Sequence, residues 1–119
     1  MTNTRLSIRL DLAKNHRIGP GKIALLEAIK STGSISASAR LTGMSYRRAW
    51  NLVEEINAAL EQPAVAAATG GRHGGGASLT PVGEKIVSIY RSIENIAHDS
   101  VKDETRALGR LARKGRKAG

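Results

Sequence analysis

The sequence of residues 33–60 is GSISASARLTGMSYRRAWNLVEEINAAL. It predicts two helices, Ser34–Leu41 and Tyr46 to about Leu60, because each combines helix-forming residues with a polar residue at its start. Between them lies Thr42-Gly43, and glycine tolerates the left-handed backbone of a sharp turn. Two helices joined by a short turn that contains glycine are typical of a helix-turn-helix unit.

The second helix has an apolar and a polar face at 100° per residue, with Tyr46 and Trp50 on the edge of the apolar one. The apolar face consists of Ala49, Leu52, Val53, Ile56 and Leu60. The polar face carries Arg47, Arg48 and Asn51 within the first two turns, the part of a recognition helix that reaches base edges in the major groove. Arginine can bind guanine there, and asparagine adenine. The alternative is the solvated face of an ordinary amphipathic helix.

Composition favours a single DNA-binding domain. The chain has 119 residues, 19 basic against 10 acidic, a net charge of +9 and no cysteine. An excess this large attracts polyanions, nucleic acid above all. Single-strand binders stack bases on aromatic side chains, and only three aromatic residues occur here, so duplex DNA is the expected partner. No apolar stretch is long enough for a membrane span or a signal region, and we expect a cytoplasmic protein.

The segment before residue 33 predicts a strand and a helix. Apolar and polar residues alternate over Arg5–Leu12, which is typical of a half-buried strand; its arginines either contact a phosphate or are plain surface charge. We expect a loop from His16 to Gly21, with Pro20 in the first turn of a helix that continues over Ile23–Ser31. The free N–H groups of that helix start could hold a DNA phosphate.

Two short strands with a glycine-rich connection follow the second helix. Val65–Thr69 and Ala77–Leu79 are the candidate strands, and five glycines lie among the seven residues between them. This pattern suits an antiparallel hairpin. We expect its tip, with Arg72 and His73, to lie along DNA, with Arg72 on a phosphate or in the minor groove. The alternative is a surface loop without a partner.

A long helix is predicted from Thr80, a candidate cap, and Pro81. Apolar residues recur every three or four positions, which is typical of a coiled-coil seam. The expected interface of a homodimer is Val82, Ile86, Ile89, Tyr90, Ile93 and Ile96. Packing within one chain is the alternative. We expect Gly109 to end the ordered part. The stretch from Arg106 to Lys117, which has no acidic residue, is expected to be a basic tail that adds sequence-independent DNA affinity; the alternative is a frayed end without a role.

The sequence offers no enzyme chemistry. His16, His73 and His98 are scattered, without cysteine partners or zinc-ligand spacing, and no nucleophile lies beside a candidate base. We therefore expect neither a catalytic site nor a cofactor.

Two motifs resemble the N-terminal DNA-binding domain of the ModE family of molybdate-responsive regulators, and more loosely that of LysR-type regulators. One is the block Ser45-Tyr46-Arg47-Arg48-Ala49-Trp50, preceded by Gly33-Ser34-Ile35-Ser36. The other is the run from Ala68 to Thr80. The resemblance covers about residues 18–100 and implies a dimeric transcriptional regulator. ModE proteins continue into a molybdate-binding region, to which nothing here corresponds, so molybdate comes only by family association.

These observations predict a mainly α fold with a small β-hairpin (α+β), a winged helix-turn-helix with a long C-terminal dimerisation helix. The expected division is a DNA-binding domain at 1–80, a dimerisation helix at 81–108 and a disordered basic tail at 109–119. The candidate DNA contacts are Ser34, Ser36, Ser45, Tyr46, Arg47, Arg48, Asn51, Arg72 and His73. The predicted function is sequence-specific regulation of molybdenum-related genes as a homodimer. A nonspecific architectural DNA-binding protein and a protein–protein module that pairs with another regulator are the alternatives.

Overall fold

The fold is a small helical domain with two antiparallel strand pairs, described here from a computed structural model over residues 4–13, 15–68 and 76–113. Its elements in these ranges are β1 (Leu10–Ala13), β2 (His16–Ile18), α1 (Pro20–Thr32), α2 (Ile35–Thr42), α3 (Tyr46–Ala58), β3 (Val65–Ala68), β4 (Gly76–Leu79), α4 (Pro81–Ser100) and α5 (Lys102–Leu111). The predicted α+β winged helix-turn-helix fold is confirmed. No helix of the described ranges is long and apolar enough to cross a membrane.

The first strand pair differs from the prediction. The strand begins at Leu10 rather than Arg5, and part of the expected loop forms its partner, with Leu10 opposite Ile18 and Asp11 opposite Arg17. Asn15 adopts a left-handed conformation with φ 61°, which asparagine tolerates better than most residues. The alternation of apolar and polar residues predicts strands but does not show where Asn15 makes such a turn.

The helix-turn-helix follows the predicted signals closely. The Ser34 hydroxyl accepts a hydrogen bond from the Ala37 N–H at the start of α2, and α2 ends at Gly43 with φ 73°. The Ser45 hydroxyl accepts one from the Arg48 N–H and so caps α3. These caps fix where each helix begins, and thereby which residues of α3 occupy its first two turns.

The core lies among α1, α3, the second strand pair and one side of α4. Its buried apolar residues are Ile18, Ile23, Leu25, Leu26, Ile29, Ala39, Ala49, Leu52, Val53, Ile56, Ala64, Val65, Ala77 and Tyr90. Every residue of the predicted apolar face of α3 is buried or, in the case of Leu60, packed against this core. That face therefore anchors α3 and determines which side of the helix points outward.

The second strand pair is the predicted hairpin. β3 and β4 are antiparallel, with Val65 opposite Leu79 and Ala68 opposite Gly76. The Ala77 N–H donates to the Gly33 carbonyl at 2.9 Å, which ties the hairpin to the turn between α1 and α2. The expected tip, including Arg72 and His73, lies outside the described residues.

The C-terminal part forms two helices instead of one. Thr80 caps α4 and Pro81 is its first residue, as predicted, but the helix ends at Ser100 and α5 begins after Val101. α5 then continues through Gly109 to Leu111, so the expectation that Gly109 ends the ordered part is wrong. Acidic residues in its first turn and Arg110 in its last turn complement the helix dipole. These charges favour a helix here, although the apolar periodicity of the sequence ends near Ser100. Residues 114–119 of the expected tail lie outside the described ranges.

Candidate nucleic-acid interface

The outward face of α3 carries basic and amide side chains. Arg47, Arg48 and Asn51 are all exposed. Among the described residues, neither Arg47 nor Arg48 forms an ion pair with an acidic side chain. The nearby Glu55 instead pairs with Lys22 at 3.2 Å. Two guanidinium groups are therefore free to bind an external anion or acceptor.

Two aromatic side chains stand beside these arginines. Tyr46 is 56% exposed and Trp50 is 45% exposed. From the sequence, their position on the edge of the apolar face was compatible with either burial or exposure. Together with Arg47 and Asn51 they line a surface hollow of about 380 Å³. We call this the aromatic hollow.

The three candidate serines are already engaged in local hydrogen bonds. Ser34 and Ser45 accept the capping bonds of α2 and α3, and the Ser36 hydroxyl accepts a hydrogen bond from Arg40 Nη1 at 3.2 Å. A serine hydroxyl keeps its own proton as a donor when it accepts a bond. All three can therefore still donate to a phosphate, but their first role is to fix the helix starts.

A second hollow, of about 420 Å³, lies beside α3 and is strongly basic. Its cationic lining residues are Arg9, Arg17, Lys22 and Arg48. Asp11 lies within ion-pair distance of Arg9 and Arg17, at 3.4 and 3.8 Å, and Glu55 pairs with Lys22 at 3.2 Å. Two carboxylates therefore face four cations, and the positive charge is only partly neutralised. Arg17 was missed from the sequence because it lay in a segment predicted to be a loop. We call this the basic hollow.

Asn57 connects α3 to the second hairpin, which sequence reasoning also missed. Its Oδ1 accepts hydrogen bonds from the N–H groups of Ala64 and Val65, at 2.8 and 3.1 Å, and its Nδ2 donates to the Val65 carbonyl at 3.1 Å. One side chain thus sets the position of β3 relative to the helix that carries the arginines. A lone asparagine in a helix gives no signal of a contact with the strand that follows.

The predicted seam on α4 divides into buried and exposed parts. Ile86 packs against the core, Val82 and Ile93 are partly buried, and Ile89 and Ile96 are 52% and 65% exposed. The last two therefore leave apolar surface that nothing in the described part of the protomer covers.

The assignment of Tyr90 to the dimer interface is wrong. Its side chain is only 1% exposed and its hydroxyl donates to the Ile8 carbonyl at 2.6 Å. Burial raises the pKa of the Tyr90 hydroxyl, as expected for an acid that would lose hydration on ionising. The physical reason for the error is that the N-terminal segment lies over this position, and the helical pattern cannot show a contact 82 residues away in the chain.

A two-helix ion-pair cluster links α4 to α1. Arg91 Nε and Nη2 donate to the two oxygens of Glu27 at 2.9 and 2.6 Å, and Nη1 donates to Glu94 at 2.6 Å. The hydrogen bonds from Arg91 lower the pKa of the Glu27 carboxyl, and burial only partly opposes them. This bidentate contact fixes the direction in which α4 leaves the domain.

No group of three or more histidine, cysteine or acidic side chains that could hold a metal ion occurs among the residues that the structure describes.

Comparison with known proteins identifies relatives of the chain. No protein-family model matches it. The chain is 54% identical over 78 residues to the molybdenum-pterin-binding protein MopB of Rhodobacter capsulatus, covering 66% of this chain and 29% of that protein. It is 43% identical over 95 residues to the transcriptional regulator ModE of Yersinia pestis, covering 77% and 36%.

A third relative is the DNA-binding transcriptional dual regulator ModE of Escherichia coli K12, at 40% identity over 88 residues, or 71% of this chain and 34% of that protein. The chain thus spans roughly a third of the length of these relatives. The matches agree with the resemblance carried by the Ser45–Trp50 block and with the winged helix-turn-helix architecture. The homologues of the chain are the molybdenum-related ModE and Mop proteins, consistent with an N-terminal domain of the ModE family.

Proposed function

We propose that the chain is a cytoplasmic, homodimeric transcriptional regulator that binds duplex DNA at specific sequences and controls molybdenum-related genes. The observation that carries the proposal is the outward face of α3, where Arg47, Arg48 and Asn51 are exposed on a helix anchored by its other side. The molybdenum association rests on the names of the relatives, which are transcriptional regulators and molybdenum-pterin-binding proteins.

Base recognition is assigned to the first two turns of α3. Arg47 and Arg48 each offer a planar fork of donors that fits guanine O6 and N7, and Asn51 can donate to and accept from adenine. Both guanidinium groups are available, because the neighbouring Glu55 pairs with Lys22 and Glu54 is exposed. Replacing either arginine by alanine is expected to cost about 1–3 kcal/mol of operator binding and to relax the base preference at one position.

Contacts to the DNA backbone are assigned to the basic hollow and to the helix starts. Arg9 and Arg17 lie beside α3, where the phosphates next to an occupied major groove would run, whereas Lys22 is engaged by Glu55 and by the Arg17 carbonyl. The serine donors at the starts of α2 and α3 add neutral contacts of the kind that fix register without reading sequence. For Arg72 and His73 on the hairpin tip, groove or phosphate contact remains a prediction from the sequence.

Dimerisation is assigned to the exposed apolar part of α4. Ile89 and Ile96 are seven residues apart, two helical turns, and so lie on one side of the helix. The expected assembly brings two copies of α3 to half-sites separated by one turn of DNA, roughly 34 Å, or by a multiple of it.

The test is a competition assay that separates this proposal from an architectural DNA-binding protein. Duplexes that the chain enriches from a random library are labelled and challenged with bulk genomic DNA at fixed salt. A sequence-specific regulator keeps its site against at least a thousandfold excess of bulk DNA. Equal competition by bulk DNA would favour the architectural alternative, and absence of any DNA binding would favour a protein–protein module.

A further inference from the structure

The aromatic hollow is an apolar spot on a face otherwise suited to a polyanion. Tyr46 and Trp50 are four residues apart on α3, so their side chains lie one above the other on the same side of the helix. Both expose about half of their surface. The two residues therefore offer apolar aromatic surface to an external partner.

The polar neighbours of these rings restrict what can cover them. The hollow is lined by Arg47 and Asn51 besides the two rings, with no acidic side chain among its lining residues. A purely apolar partner would bury the Arg47 guanidinium without a counter-charge, which is strongly unfavourable. The matching surface must offer a small apolar group, hydrogen-bond acceptors and negative charge within a few ångströms of one another.

The major groove of duplex DNA presents this combination at thymine. The 5-methyl group of thymine projects into the groove beside the O4 acceptor, neighbouring bases offer N7 and O6 acceptors, and phosphates border the groove. We propose that Tyr46 and Trp50 read thymine methyl groups by apolar contact, while Arg47 and Asn51 bind the acceptors of adjacent bases. This inference rests on the proposed function, and it names two specificity-determining side chains and the base they select.

The experiment removes the methyl group and nothing else. Duplex sites enriched from a random library by the wild-type chain are resynthesised with single thymines replaced by deoxyuridine, and affinities are measured by anisotropy of a label on the DNA. Each contacted thymine is expected to lose about fourfold in affinity when its methyl group is absent, the value of one buried methylene-sized group. Positions outside the contact should not change.

Variants connect the effect to the two rings. Trp50→Ala and Tyr46→Ala should bind thymine and deoxyuridine duplexes equally at the affected positions, whereas Tyr46→Phe should keep the discrimination because it keeps the ring. Leu12→Ala is the matched control, since Leu12 is similarly exposed but lies on β1, and it should retain the full effect. Because the deoxyuridine comparison is made first on the wild-type chain, the test does not depend on how well a variant folds.

Intrinsic fluorescence gives an independent readout, because Trp50 is the only tryptophan of the chain. Its emission should shift when an enriched duplex is added and should stay constant when the protein alone is diluted. A shift on dilution without DNA would mean that a second copy covers the hollow, and would overturn the inference.

The experiment distinguishes failure of the thymine readout from failure of the proposed regulator function. If sequences are enriched but deoxyuridine binds as tightly as thymine at every position, the methyl readout is wrong and the regulator proposal stands. If no sequence is enriched at all, both fall.

Discussion

Removing the exposed apolar side chains of α4 should dissociate the proposed dimer. Burying an isoleucine side chain fully is worth about 1.5–3 kcal/mol. Scaled by the exposed fractions of Ile89 and Ile96, 52% and 65%, the two residues of one protomer offer about 2–3.5 kcal/mol, and a symmetric interface doubles that value. Alanine keeps part of this surface. The Ile89→Ala/Ile96→Ala variant should therefore lose about 2–5 kcal/mol of dimer stability, which is a factor of thirty or more in the dissociation constant.

Sedimentation equilibrium over a range of protein concentrations measures this change directly. Leu41→Ala is the matched control, because Leu41 on α2 is exposed as much as Ile96 but lies outside the proposed interface. Its dimer should dissociate at the wild-type concentration. DNA binding provides a second readout: the double variant should lose affinity for a two-half-site duplex and keep wild-type affinity for a single half-site, since only the former gains from linked binding.

Two results would argue against this dimer interface. A wild-type chain that is monomeric at micromolar concentration would show that this surface of α4 does not pair two copies of it. A double variant that dissociates at the wild-type concentration would place the dimer interface elsewhere.

Three further predictions concern the packing of the domain and the charge of its tail. Gly83→Ala should destabilise the fold by about 1–3 kcal/mol in chemical denaturation, because a Cβ there would overlap the Ala64 carbonyl. Gly21→Ala is the control and should be neutral or slightly stabilising, because a Cβ there meets no atom within 4 Å. Equal effects of the two variants would contradict the close approach of Gly83 to Ala64. The Arg91 contact lowers the pKa of Glu27 below 4.5, so the ion pair stabilises the fold fully above pH 4.5 and loses this effect as pH falls through the lowered pKa. Glu27→Gln should remove this part of the acid dependence of unfolding. An unchanged pH profile would argue against the ion pair. Truncation after residue 112 removes four cations. It should reduce the slope of log affinity against log salt concentration by up to about 0.9 for each cation that contacts a phosphate, and should weaken binding equally on all sequences. An unaltered slope would show that the tail does not contact DNA.

The parts of the fold that the sequence predicts well are those with local causes. The caps at Ser34, Ser45 and Thr80 and the glycine after α2 act within a few residues of themselves, so the helix starts agree with the expectation. The buried face of α3 follows from helical periodicity alone, since a helix packed on one side needs an apolar residue at each turn.

The parts that it predicts poorly depend on tertiary contacts between separate elements. Tyr90 has the spacing of the seam, yet its hydroxyl is satisfied by Ile8 near the other end of the chain. Asn57 reads as an ordinary helical residue, yet its amide holds the hairpin through three hydrogen bonds. The same limit applies to the candidate site: the arginines are visible in the pattern, while the exposure of Tyr46 and Trp50 depends on how neighbouring elements pack.

The proposed position of the outward face of α3 in the major groove can be measured by protection of guanine N7. An enriched duplex is treated with dimethyl sulfate, which methylates guanine N7 in the major groove, with and without the protein. We predict protection in two patches about one helical turn apart or a multiple of it, and loss of protection at matching guanines in Arg47→Ala or Arg48→Ala. Protection that is unchanged in both variants, or binding that leaves every guanine N7 reactive, would contradict the account.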